Sequence, residues 1–146
     1  MAYRDYYINE GNKIGYMDTE YSQDFVGADA FRIVADTAVT KGRLVEITGV
    51  TDKKIKIAHT SAHDDVAIGV AMFDAKAGEE VAVETEGCFL LITGGAITAG
   101  TKVYAGADGK IEASSSTASV TNANPVGIAL TGATGSNEYV YVKFTI

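Results

Sequence analysis

One pattern in this chain recurs at a fixed offset of 58 residues. Val39-Thr40-Lys41-Gly42 and Val45 return as Ile97-Thr98-Ala99-Gly100 and Val103. Ile68-Gly69-Val70-Ala71-Met72 returns as Val126-Gly127-Ile128-Ala129-Leu130, and Glu80-Val81-Ala82-Val83 maps onto Glu138-Tyr139-Val140-Tyr141. Aligned without gaps, 39–83 and 97–141 share eight identities, and the matches fall on glycines and apolar alternations in three blocks at one register. This is the mark of a β-unit used twice. A chain built that way commits most of its residues to architecture, so chemistry has to show as a departure from the repeat.

The strand grammar from Val39 onward supports the reading. Arg43-Leu44-Val45-Glu46-Ile47-Thr48 alternates and is expected to stop at Gly49. Lys54-Ile55-Lys56-Ile57 alternates strictly, lysines to water and isoleucines to a core. Val66 to Met72 is almost continuously apolar, as in a strand buried on both faces. Glu80 to Thr85 alternates again, and Gly87 to Ile92 reads as a central strand. Asp108-Gly109, between Lys102-Val103-Tyr104 and Lys110-Ile111-Glu112, predicts a hairpin. Val126 to Leu130 and Glu138 to Phe144 complete the set. Asp74 to Gly78 allows at most one helical turn, and Ser114 to Ser119 reads as an exposed loop. The expected class is mostly β: a small β-barrel or β-sandwich of two similar units. An extended N-terminal arm precedes it.

That arm, residues 1–38, has a different grammar. It holds seven of the thirteen aromatics, Tyr3, Tyr6, Tyr7, Tyr16, Tyr21, Phe25 and Phe31, with three basic against seven acidic residues. Neither a strand nor a helix period persists in it. Disordered segments are usually poor in aromatics, which leaves two readings. Either the arm caps the β-domain of its own chain, or it lies across another protein with these rings as anchors. Tyrosine suits the second role, since it buries much area at low entropic cost and keeps a polar tip.

The search for catalytic residues returns negatives. Gly106-Ala107-Asp108-Gly109-Lys110 resembles a phosphate loop only faintly, because Tyr104 stands where the first glycine belongs and Ile111 where Ser or Thr belongs. His59 and His63, beside Asp64 and Asp65, form the one cluster of metal-ligand types, but they lie in a loop-like segment and are expected to be solvated. Glu79-Glu80 and Asp64-Asp65 are sequence neighbours, which a strand would point to opposite faces. Cys88, the single cysteine, is expected to be a buried, inert thiol, and it excludes an intramolecular disulfide. No catalytic, cofactor or metal residues are assigned, and the expectation is a protein that is not an enzyme. A net charge of −7 with 12 Lys+Arg argues against nucleic-acid partners. The charged, tyrosine-bearing start is unlike a signal peptide, and no apolar run approaches bilayer length, so no membrane role is expected. Synthesis and assembly in the cytoplasm are the expectation.

The blocks Ile68 to Ala71, Ala77 to Val83 with Gly87, and Ala96 to Tyr104 resemble those of the small capsid cement, or decoration, proteins of tailed bacteriophages. The closing Val126 to Ala129 and Tyr139 to Val142 share the resemblance, which covers 39–146. A recombinase label that such proteins sometimes carry is opposed here by the missing phosphate loop. The resemblance implies a structural, cofactor-free virion protein on the outer capsid surface, partnered by major capsid protein. It also implies a homotrimer at three-fold or quasi-three-fold positions. A receptor- or glycan-binding β-module of the virion surface, such as a head fibre or adhesin domain, is the alternative.

Overall fold

The computed structural model describes residues 31–113 and 124–145. The chain divides into units of residues 1–32 and 33–146. Tyr3, Tyr6, Tyr7, Tyr16, Tyr21 and Phe25 lie outside the described residues, as does the loop expected at Ser114 to Ser119. Among the described residues the strands are β1 (Arg32–Ala35), β2 (Leu44–Thr51), β3 (Lys54–His59), β4 (Gly69–Ala71) and β5 (Val83–Glu84) in the first half. The second half holds β6 (Cys88–Ile92), β7 (Lys102–Ala105), β8 (Ile111–Ala113), β9 (Gly127–Ala129) and β10 (Tyr139–Phe144). A 3-10 turn, Ala107–Gly109, joins β7 to β8. The chain is mostly β, as the alternation predicts.

Two five-stranded sheets result, in the orders β1-β3-β2-β4-β5 and β6-β10-β9-β7-β8. The orders look different, but each sheet curls until its ends approach. Val34 bridges Glu80 just ahead of β5, and Thr93, just after β6, bridges Ile111 of β8. Read around the circle, with β1 matched to β6 and β5 to β10, both halves have the same strand order. Only the place where the circle opens differs.

The repeat is therefore structural, and its backbone bonds follow the predicted offset. Gly42 N donates to Ala71 O at 2.8 Å and Gly100 N to Ala129 O at 2.7 Å, with both glycines at positive φ. Val39 pairs with Ala75 as Ile97 pairs with Ala133. Gly69 and Gly127 each sit where a Cβ would run into a neighbouring carbonyl, that of Glu84 and of Lys143 respectively. The last block needs a correction. Val70 pairs with Glu84 and Ile128 with Lys143, and Ala71 with Val83 as Ala129 with Val142, so β5 and β10 correspond at an offset of 59. The alternation enforces it: Val81 and Val140 both point inward, whereas an offset of 58 would match Val81 to the exposed Tyr139. Asn137, at φ 62°, accordingly takes the place of Gly78, at φ 89°; asparagine tolerates the left-handed region better than most residues.

Three further expectations change. β1 falls within the stretch assigned to the arm, and Ala35 N donates to Glu79 O at 2.9 Å as Thr93 N does to Glu138 O at 2.8 Å. The sheet therefore begins before Val39, in a segment whose residues 31–35 correspond to 89–93 of the second half. β2 does not stop at Gly49, because a register shift between Ile47 and Gly49 lets it run on to Thr51. β6 is an end strand of its sheet and not a central one, which leaves Cys88 exposed.

Each half has its own core. Ala35, Val39, Val45, Ile57, Ala71, Ala75 and Val81 fill the first. The second is larger, built on Leu91, Val103, Ile111, Val140, Val142 and Phe144, and it takes in Leu44, Ala67 and Val70 from the outer side of the first half. The two halves thus share apolar surface along β2 and β4.

Candidate partner-binding surface

The polar side chains that looked most like chemistry lie where the halves meet. Asp108, at φ 60° in the 3-10 turn, is the centre. Its carboxylate accepts from Arg43 Nη1 at 2.8 Å, its carbonyl accepts from the same nitrogen at 2.8 Å, and its other carboxylate oxygen lies 3.0 Å from His59 Nδ1. The hydrogen bond from Arg43 holds the Asp108 carboxyl below the usual aspartate value; burial opposes this, and the hydrogen bond from His59 adds to the lowering. His59 Nε2 accepts from Thr40 N at 2.9 Å, so the ring proton sits on Nδ1 and is donated to Asp108. Gly109 N donates to Thr60 O at 3.0 Å, and the buried Thr60 hydroxyl donates to Gly106 O at 2.9 Å.

His63 occupies the same boundary. Its ring stacks on Tyr104 at a centroid distance of 5.9 Å, with Nε2 3.0 Å from Ala113 O and Nδ1 3.0 Å from Glu112 Oε1. Neither histidine is the solvated loop residue expected from sequence. Their ring nitrogens face partners contributed by segments far apart in the chain, which no local pattern reveals. Asp65 caps its own turn instead of joining them. Burial tends to raise its carboxyl, but the amides of Ser61 and Ala62 outweigh this and lower it. Burial, then the neighbouring Asp65 and Asp64, raises the nearby Glu46. Among the described residues no group of three or more His, Cys, Asp or Glu is placed to hold a metal ion, and no helix is long and apolar enough to cross a membrane.

A surface of different character lies on the outer side of the second sheet. β10 turns Tyr139, Tyr141 and Lys143 outward while Val140, Val142 and Phe144 fill the core. Leu90 of β6 stands directly opposite Tyr141, Ile92 opposite Tyr139 and Cys88 opposite Lys143. Leu130, whose N donates to Tyr141 O at 2.7 Å, extends the patch past β9. Leu90, Leu130, Tyr139 and Tyr141 are each about half exposed or more, at 47%, 51%, 62% and 52%. An exposed apolar face of this kind on a folded domain is a candidate partner-binding surface.

The repeat supplies an internal control. The matching positions of the first half carry Arg32 for Leu90, Met72 for Leu130, Glu80 for Tyr139, Ala82 for Tyr141 and Glu84 for Lys143. Arg32 and Glu80 show that the fold does not require an apolar residue at the positions of Leu90 and Tyr139, so there the departure belongs to the second half's surface. Sequence reasoning passed over Tyr139 and Tyr141 because simple alternation makes them ordinary outward residues. The signal was present in the mismatch between the two copies. Of the aromatics assigned to partner binding from sequence, Phe31 alone is described, and it is exposed at 56%.

Comparison with known proteins follows the same line. No curated protein matches the chain. Among solved structures, the head fibre gp8.5 N base of bacteriophage phi29 is similar in fold, with a TM-score of 0.63 and 22% identity, covering 79% of this chain and 92% of that one. A family model described as phage cement protein matches residues 26–144, and on that match, which spans most of the chain including β1 and both halves of the repeat, the chain belongs to the phage cement protein family.

Proposed function

We propose that this protein binds the outer surface of an assembled phage head and stabilises it, without catalysing a reaction. Membership of the cement family makes it a structural protein of the virion, and that match is the observation that carries the reading. In this proposal the N-terminal arm contacts major capsid protein or neighbouring subunits, with Tyr3, Tyr6, Tyr7, Tyr16, Tyr21, Phe25 and Phe31 as anchors. The protein acts as a homotrimer at three-fold or quasi-three-fold positions of the shell. Modest contacts from three linked copies then sum to very slow release. The net charge of −7 keeps a densely decorated surface soluble.

The test is removal of the arm. Because β1 starts at Arg32, the cut belongs after residue 30 so that the first sheet stays complete. The expected outcome is a fragment that retains its β circular dichroism but no longer co-sediments with empty expanded heads. Full binding by the fragment would overturn the arm's role.

A second reading is a receptor- or glycan-binding module of the virion surface. The two exposed tyrosines on β10 favour it, since aromatic faces stack on sugar rings. Loss of binding to host surface polysaccharide in Tyr139→Ala and Tyr141→Ala, with head binding intact, would support this reading over the first.

A further inference from the structure

We propose that the outer face of β6, β9 and β10 is a docking surface for a second copy of this chain, which offers the groove beside its own β5. This rests on the self-association put forward above and assigns the surfaces that perform it.

Both sides of the contact are visible in one molecule. The receiving side is an open groove of about 530 Å³ lined by Ile33, Phe73, Glu80, Val81, Ala82 and Val83. Phe73 stands at its edge, 65% exposed, and Glu84 continues the same strand. The inserting side is the patch of Leu90, Leu130, Tyr139 and Tyr141, a set of side chains that buries large area at low entropic cost. Apolar surface thus meets apolar surface.

The charges are opposite in sign. Lys143 lies on the inserting strand, and Lys102 reaches the same face through its pairing with Ile128, which also pairs with Lys143. In the first half Glu84 occupies the position that corresponds to Lys143, and Glu80 the one that corresponds to Tyr139. Between two copies of a chain carrying −7, repulsion is the default. A contact that sets the few cations of one copy against the carboxylates of another removes that repulsion locally and fixes orientation. The two surfaces are different patches of one chain, so the contact is heterologous, and repetition closes a ring when the rotation allows. A trimer is one such ring. The head shell is the other candidate occupant, but the structure contains a surface that complements this one in apolar character and in charge.

The experiment is a charge exchange in the full-length protein, read by sedimentation. Lys143→Glu and Glu84→Lys are each expected to raise the self-dissociation constant by roughly tenfold or more, because each sets like charges opposite one another. Their combination is expected to return it close to the wild-type value. Tyr141→Ala should weaken association without changing the melting temperature of the dissociated chain. Lys143 and Glu84 are both exposed, so the folded state survives each change, and circular dichroism checks this. The proposal is overturned by a wild-type protein that sediments as a monomer at every concentration. It is equally overturned if both single variants keep the wild-type mass, or if the double variant stays dissociated while folded. Head binding is measured in parallel. A monomer that still coats heads would sink this proposal and leave the binding function standing, while a self-associating protein that ignores heads would do the reverse.

Discussion

Asp108 sits in the left-handed region at φ 60°, where few residues other than glycine, asparagine and aspartate are at ease. That turn lets both its carbonyl and its carboxylate face Arg43, 65 residues away, with His59 on the second carboxylate oxygen. Its pKa in the folded protein lies below that of free aspartate, chiefly through Arg43. The linked stability is therefore fully present above about pH 4 and is lost as pH falls through the lower folded value. Asp108→Asn keeps the backbone conformation accessible and removes the charge. It is expected to cost no more than about 1 kcal/mol at neutral pH, since the Asp108 side chain is 60% exposed. The distinguishing effect is on slope: thermal melts from pH 7 down to pH 2 should flatten below about pH 4 in the variant relative to wild type. Parallel acid limbs would show that the Arg43–Asp108–His59 set contributes nothing to stability.

At the scale of elements, the apolar run from Val66 to Met72 shows how much a sequence pattern carries. It reads as a strand buried on both faces, and Gly69, Val70 and Ala71 are buried. One face looks into the first core and the other is covered by the second half, through Leu44, Ala67 and Val70. Val66, at the start of the same run, is 64% exposed. Val70→Asp is therefore expected to cost roughly 3–5 kcal/mol, as an unpaired charge placed in a closed core. Val66→Asp should stay within about 0.5 kcal/mol. Denaturant titration separates them, and equal losses would mean that the two positions share one environment. The glycine at position 69, the hairpin at Asp108-Gly109 and the paired halves were all legible, because each is a local requirement on backbone or alternation. The one-residue slip before β10, the end position of β6 and the exposure of Cys88 were not. They depend on which strands become neighbours around each sheet, and that is decided by long-range pairing. For the same reason His59 and His63 were misplaced in a solvated loop, and the tyrosine face of β10 passed for an ordinary outward strand.

At the scale of the molecule, two similar halves raise the question whether they fold as two units or one. Among the described residues the first half has a core of seven buried side chains, six of them alanine or valine: Ala35, Ala71, Ala75, Val39, Val45 and Val81. Its outward residues Leu44 and Val70 belong instead to the core of the second half. Separation would expose them together with the Thr60 hydroxyl, fully buried against Gly106 O. Losing shared apolar area and leaving a buried polar group unpaired both oppose an isolated first half. The halves should therefore open together. Amide hydrogen exchange tests this at matched sites, because Ile68 N donates to Val45 O and Val126 N to Val103 O, each at 2.9 Å. The expected result is opening free energies for these two amides within about 1 kcal/mol of each other and close to the global value. An Ile68 amide that exchanges through a much cheaper opening would show that the first half unfolds by itself. The rigidity of the pair would then rest on the second half alone.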